Sequence, residues 1–177
     1  MPSCSATRAD ALPHRHHHHH VRSGAGPLPG DRRRPPGREE TPAPRPGPLQ
    51  RVLLGLRVLV VDDDADILEL FDVALTACGA EVTTTDKPRD AIALATRMRP
   101  HVIVSDIAMV GEDGYWLVRE LKRMPKEILD NVPVVAATAY GREHPRARVL
   151  AAGFVEHLQK PIDPEHLCRV VAKVAGR

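Results

Sequence analysis

Five side chains with chemistry to offer stand directly after short apolar runs in this sequence. Asp62 and Asp63 follow RVLVV, Asp106 follows VIVS, Thr138 closes PVVAA, and Lys160 follows FVEHL at a one-residue remove. Carboxylates gathered in one place repel one another. The usual remedies are proton uptake or a hard divalent cation with oxygen ligands. Mg²⁺ fits, because it keeps several waters and needs only one or two carboxylates plus a phosphate oxygen. A carboxylate beside such an ion is a nucleophile of the aspartyl-phosphate kind. Lys160 offers a compact positive charge, and Thr138 a hydroxyl, to the oxygens of a transferring phosphoryl group.

These residues are spread over about a hundred positions, so the fold has to bring them together. RVLVV (57 to 61), EVTTT (81 to 85), VIVS (102 to 105), PVVAA (133 to 137) and FVEHL (154 to 158) read as strands, most of them short β-branched runs of the kind buried on both faces. Helices fall between them. The first carries Ile67, Leu68, Phe71, Ala74, Leu75 and Cys78 at helical spacing and stops at Gly79. The second opens around Asp86 to Pro88, with Ala91, Ile92, Ala95 and Met98 on one face. The third runs from about Gly114 to Met124, and a weak, Arg-rich fourth from about Glu143 to Ala152. The last opens at Asp163-Pro164-Glu165 and buries Leu167, Val170, Val171 and Val174.

Strictly alternating strands and helices predict an α/β domain with a parallel sheet covered on both faces. For five strands the default is the flavodoxin-like, doubly wound order 2-1-3-4-5. All strand ends then share one edge, and the five residues converge on one crevice. Asp64 and Asp66 read as acids at a helix N-terminus rather than ligands, and Asp113-Gly114 as the turn into the third helix.

Composition divides the 177 residues in two. Residues 1 to 50 hold 10 of the 17 prolines, 5 of the 12 glycines and 6 of the 10 histidines, with 8 Arg against 4 acids. Such a segment cannot bury enough apolar surface to order itself, and is expected to be a disordered Pro/Arg/His-rich tail. Its run His16 to His20 reads as low-complexity or tag-like sequence rather than a metal site, and Arg32 to Arg34 as part of an extended linker. A start codon near Leu49 would remove the segment altogether. Residues 51 to 177 carry 17 Lys and Arg against 19 Asp and Glu, so the basic balance belongs to the tail. Cys78 and Cys168 fall on apolar helix faces and read as small core residues in a reducing compartment. No apolar run approaches the roughly 20 residues that span a bilayer, nor is there a signal-peptide core. The expectation is a cytoplasmic protein.

VVDDDADILELF, VSDIAMVGEDGYWLVREL, VAATAY and LQKPID together resemble the receiver domain of two-component response regulators over about residues 56 to 175, in wording closest to receivers at the C-termini of hybrid histidine kinases. The resemblance implies Asp106 as phosphoacceptor, Asp63 as direct Mg²⁺ ligand, Asp62 acting partly through water, and the backbone carbonyl of Ala108 completing the protein's share. It implies that Thr138 and Lys160 contact the phosphoryl group. It also implies that an aromatic three residues before the Lys follows the Thr inward on phosphorylation. That position is His157, where the family usually has Tyr or Phe, and Tyr140 is an alternative aromatic. Val110 replaces a common proline, and the connection Pro125 to Asn131 is slightly long.

The implied donor is a histidine kinase or a histidine phosphotransfer protein, with no direct DNA binding and no membrane contact. With no further domain after Arg177, the output is expected in a partner, a separate chain or a kinase that once carried this piece. Two rival readings stand beside this one. One is a haloacid-dehalogenase-like phosphohydrolase with Asp62 as nucleophile and Asp64 as acid, although Asp66 stands where that motif wants Thr or Val. The other is an interaction module that is never phosphorylated.

Overall fold

The computed structural model describes residues 47–139 and 142–177. The tail with its His16 to His20 and Arg32 to Arg34 runs, and Tyr140, lie outside the described residues. A 3-10 turn, Pro48–Arg51, precedes β1 (Arg57–Val61), α1 (Ala65–Ala77), β2 (Glu81–Thr85), α2 (Pro88–Met98), β3 (Val102–Ser105), α3 (Gly114–Arg123), β4 (Val134–Thr138), α4 (Arg146–Ala152), β5 (Glu156–Gln159) and α5 (Pro164–Val174). The strands form one sheet in the order β2-β1-β3-β4-β5 with every pairing parallel, the flavodoxin-like arrangement expected from the alternation.

Side chains alternate across the sheet with the period of two that a pleated strand imposes. Val58, Val60, Val102, Val104, Val135 and Ala137 pack on one side, with Phe71 and Leu75 of α1 and Leu167 and Val171 of α5. Leu59, Val61, Ile103, Val134 and Ala136 pack on the other, with the inward faces of α2, α3 and α4. Both faces are therefore covered, which is why the three central strands β1, β3 and β4 are almost wholly apolar, while the edge strands β2 (EVTTT) and β5 (EHLQ) carry polar, partly exposed residues. Cys78 and Cys168 are buried free thiols of the first cluster. Burial pushes the Cys168 thiol up to about 12, helped by the neighbouring Cys78.

Several boundaries differ from the sequence reading. α4 starts at Arg146 rather than near Glu143, because Pro145 takes the extended N-cap position and the residue before a proline avoids helical backbone. β5 starts at Glu156 rather than Phe154; the Phe154 ring is instead buried edge-on against Tyr115, with centroids 6.1 Å apart. β4 begins one residue late, at Val134, since Pro133 has no N–H to give to a ladder. On α5, Cys168 and Ala172 are buried while Val170 and Val174 pack only partly against the core. Ordered structure also reaches back before residue 51. Leu53 is fully buried, its N–H donating to the Cys78 carbonyl at 2.9 Å, and Leu49 packs beneath the same cluster. Among the described residues no helix is long and apolar enough to cross a membrane.

Candidate functional site

Parallel pairing sets the site. Val61 of β1 is in register with Ser105 of β3, so the next residue of each strand, Asp62 and Asp106, emerges side by side. The Asp106 N–H donates to the Val61 carbonyl at 2.8 Å, carrying the ladder one step beyond the strands. Thr138 ends β4 opposite Gln159, and the Lys160 N–H donates to the Thr138 carbonyl at 2.8 Å, which places Lys160 at the same edge.

Asp62, Asp63 and Asp106 each offer a carboxylate oxygen, all within 4.8 Å of one another. They differ in setting. Asp62 is 1% and Asp106 8% exposed, whereas Asp63 faces solvent. The Lys160 ammonium bridges the buried pair, 2.5 Å from Asp62 Oδ2 and 3.7 Å from Asp106 Oδ1. Asp62 Oδ1 accepts the Asp64 N–H at 2.9 Å, and Asp63 Oδ2 accepts the Val110 N–H at 3.2 Å, which ties the loop after β3 to the acids. Burial pushes the Asp106 carboxyl up to about 6, with the Asp62 charge adding to the effect. Lys160 and the Ile107 N–H, which donates to Asp106 Oδ1 at 2.8 Å, pull it back, and Asp63 adds a smaller upward push. A cluster of hard oxygen donors with one acid held partly protonated near neutral pH is the donor set a small divalent cation satisfies, since the ion replaces the proton. Ala108 lies two residues beyond Asp106, exposed on the same loop.

The backbone around Asp106 is held by residues that the sequence reading passed over. Ser105 is buried, its hydroxyl donating to the Asp106 carbonyl at 2.7 Å. Gly114 approaches so closely that a Cβ there would overlap that carbonyl and stand 2.9 Å from Ile107 Cα; its N–H donates to the Ile107 carbonyl at 2.8 Å. Glycine before a helix was legible as a turn, but its close approach to Asp106 depends on how α3 folds back. Asp113 caps α3, accepting the Trp116 N–H at 2.8 Å. Asp64 caps α1 by accepting the Asp66 N–H at 2.9 Å, so the acid needed by the hydrolase alternative is engaged at a helix end.

Thr138 is fully buried at the end of β4. His157 is half-buried in β5, and its Nε2 is buried with no hydrogen-bond partner among the described residues. Burial lowers its pKa, and the charge of Arg146 and of His144 adds to that, against Glu156. A second aromatic group, unforeseen from sequence, joins α3 to the segment before α4. The Tyr115 hydroxyl and His144 Nδ1 are 3.1 Å apart, and the Arg148 guanidinium lies 5.0 Å from the Tyr115 ring centroid.

Comparison with known proteins agrees with this geometry. The family model for the response regulator receiver domain matches residues 58–172. An uncharacterized 14.6 kDa protein in the sodA1 3′ region of Leptolyngbya boryana is 39% identical over 121 residues, an alignment covering 68% of this chain and 91% of that protein. The phosphate regulon transcriptional regulatory protein PhoB of Pseudomonas aeruginosa is 32% identical over 125 residues, covering 71% of this chain but only 54% of PhoB. The chain thus spans about half the length of that regulator. Among solved structures, the receiver domain of the sensor histidine kinase PA1611 from Pseudomonas aeruginosa, with a magnesium ion coordinated in its active-site cleft, is 28% identical with a TM-score of 0.63, covering 70% of this chain and 99% of that one. With five parallel strands in the order 2-1-3-4-5, three acids and a lysine at their shared edge, and a family model matched from β1 to α5, this chain belongs to the response regulator receiver domains of two-component signalling.

Proposed function

We propose that Asp106 is the phosphoacceptor of this receiver, taking a phosphoryl group from the phosphohistidine of a histidine kinase or a histidine phosphotransfer protein. An Asp106 carboxylate oxygen attacks phosphorus, the P–N bond breaks, and the imidazole of the donor leaves with the electron pair. The observation that carries the reading is the convergence of three carboxylates within 4.8 Å with the Lys160 ammonium 3.7 Å from Asp106. Asp63, Asp62, Asp106 and the Ala108 carbonyl are the residues that would hold Mg²⁺, which when bound would supply neutralising charge for the nucleophile and the phosphoryl oxygens. Lys160 exchanges its contact with Asp62 for a phosphoryl oxygen, and the Thr138 hydroxyl contacts another.

Phosphorylation then biases a two-state equilibrium of the face formed by α4 and β5, which a protein partner reads. His157 occupies the switch position on that face. We assign the domain to residues 51–177, preceded by a tail over 1–50 whose last residues form the start of the turn Pro48–Arg51, with Leu49 packed against the core; it acts in the cytoplasm, without direct contact to DNA or membrane. It accepts and slowly loses its own phosphoryl group and needs no separate substrate.

The test is intact-protein mass after incubation with Mg²⁺ and acetyl phosphate or beryllofluoride, beside Asp106→Asn. One adduct, absent from the variant and abolished by chelator, is expected. No adduct on the folded protein withdraws the role given to Asp106. Steady hydrolysis of a small phosphate ester that is lost on Asp62 replacement supports the phosphohydrolase instead.

A further inference from the structure

At the edge of the sheet opposite the acids, where β4 begins, a cavity of about 260 Å³ opens between the end of α3, the connection that follows it and the residues after α4. Its wall is apolar, built from Val118, Leu121, Leu129 and Val134, all buried members of the second core cluster. Interiors close-pack, and a void of roughly 150 Å³ with such a lining already accepts benzene. By the same ratio this one holds an apolar body of about ten carbons.

The mouth differs in character from the wall. Lys122 and Lys126 are its charged lining residues, both exposed. Neither makes an ion pair or side-chain hydrogen bond among the described residues. Glu127 and Asp130, acids of the same connection, do not line the cavity. Gly153, which ends α4 with φ +116°, sits so that a Cβ would collide with Lys122 Nζ; the glycine leaves the room the ammonium occupies. Asn131 also lines the mouth and holds a left-handed backbone, φ +32°, as asparagine tolerates better than most residues.

An apolar pocket with a few convergent polar groups of one sign selects a ligand with an apolar body and the opposite charge. We propose that this cavity binds an apolar monocarboxylate with a body of about ten carbons or fewer, its carboxylate seated between Lys122 and Lys126. The site is separate from the acids around Asp106 and does not depend on the role assigned to them.

The probe is 2-naphthoate, titrated into the full ¹⁵N-labelled chain and followed by amide shifts. Saturable shifts are expected at Val118, Leu121, Leu129, Val134 and Gly153. The uncharged 2-naphthamide should bind roughly ten-fold more weakly, and the Lys122→Gln/Lys126→Gln double variant should weaken naphthoate by a similar factor, the size of two exposed charge contacts. Both lysines are exposed, so the variant keeps its fold, which its spectrum verifies. Absence of saturable shifts, saturable shifts centred elsewhere, or equal affinity of naphthoate and naphthamide would each overturn the proposal. So would unchanged naphthoate affinity in the double variant.

Discussion

Replacing Asp106 with asparagine should stabilise the metal-free protein at neutral pH while abolishing its chemistry. Burial and the Asp62 charge raise the Asp106 carboxyl from its usual 3.8 to about 6. The folded state therefore binds the proton more tightly than the unfolded chain. Between pH 4 and 6 the folded protein holds more protons, so stability falls as pH rises through that window and levels off above it. A rise of roughly two units corresponds to about 3 kcal/mol. Asp106 is nearly buried, so solvent screening removes little of this. Asparagine keeps an oxygen for the Ile107 N–H but carries no charge, and so avoids the penalty. Urea unfolding in chelator, followed through the single tryptophan, Trp116, should show Asp106→Asn more stable than wild type by about 3 kcal/mol at pH 7.5 and by almost nothing at pH 4. Added Mg²⁺ should close the gap at neutral pH by binding the wild-type acids. A gap that is absent at pH 7.5, or that does not change with pH, refutes the account of repelling, buried carboxylates.

Three further outcomes follow from the same geometry. Lys160→Met leaves the nearly buried Asp62 carboxylate without its cation and should cost roughly 3 kcal/mol in chelator, with much of that restored by Mg²⁺; denaturant midpoints in both buffers measure it. Gly114→Ala drives a methyl group into the Asp106 backbone, so it should cost about 2 kcal/mol or more and displace Asp106, read as lowered melting temperature together with slowed acetyl phosphate labelling. His157→Phe removes a buried nitrogen that has no hydrogen-bond partner among the described residues and should stabilise by about 1 kcal/mol. Because the folded state lowers the His157 pKa, wild type loses stability as pH falls below the ordinary histidine value near 6.5, and the variant's profile should be flatter there.

Much of the site was legible because it rests on strand ends. Asp62, Asp63, Asp106, Thr138 and Lys160 each follow an apolar run, and parallel pairing admits one shared edge. Local rules also placed three of the helix starts, where Asp64, Asp113 and Asp163 accept backbone N–H groups; at α2 the cap expected at Asp86 falls instead on Lys87, which makes no side-chain cap bond. The starts of α4 and β5 were misplaced because the segment 143–155 carries competing signals. Its arginines and alanines favour helix, Pro145 forbids an early start, and Phe154 is buried through side-chain packing without yet being a ladder residue.

What the sequence by itself determined is the order of elements, the alternation that makes the sheet parallel, and the acids, threonine and lysine at its edge, because these follow from periodicity and from residue chemistry within a few positions. Only the tertiary structure decided that Lys160 sits closer to Asp62 than to Asp106, that Gly114 must lack a side chain, that the Tyr115 hydroxyl lies against His144, and that the end of α3 leaves a cavity beside two lysines. Each of these depends on distances between residues far apart in the chain, set by how helices seat on the sheet, and no local pattern encodes them.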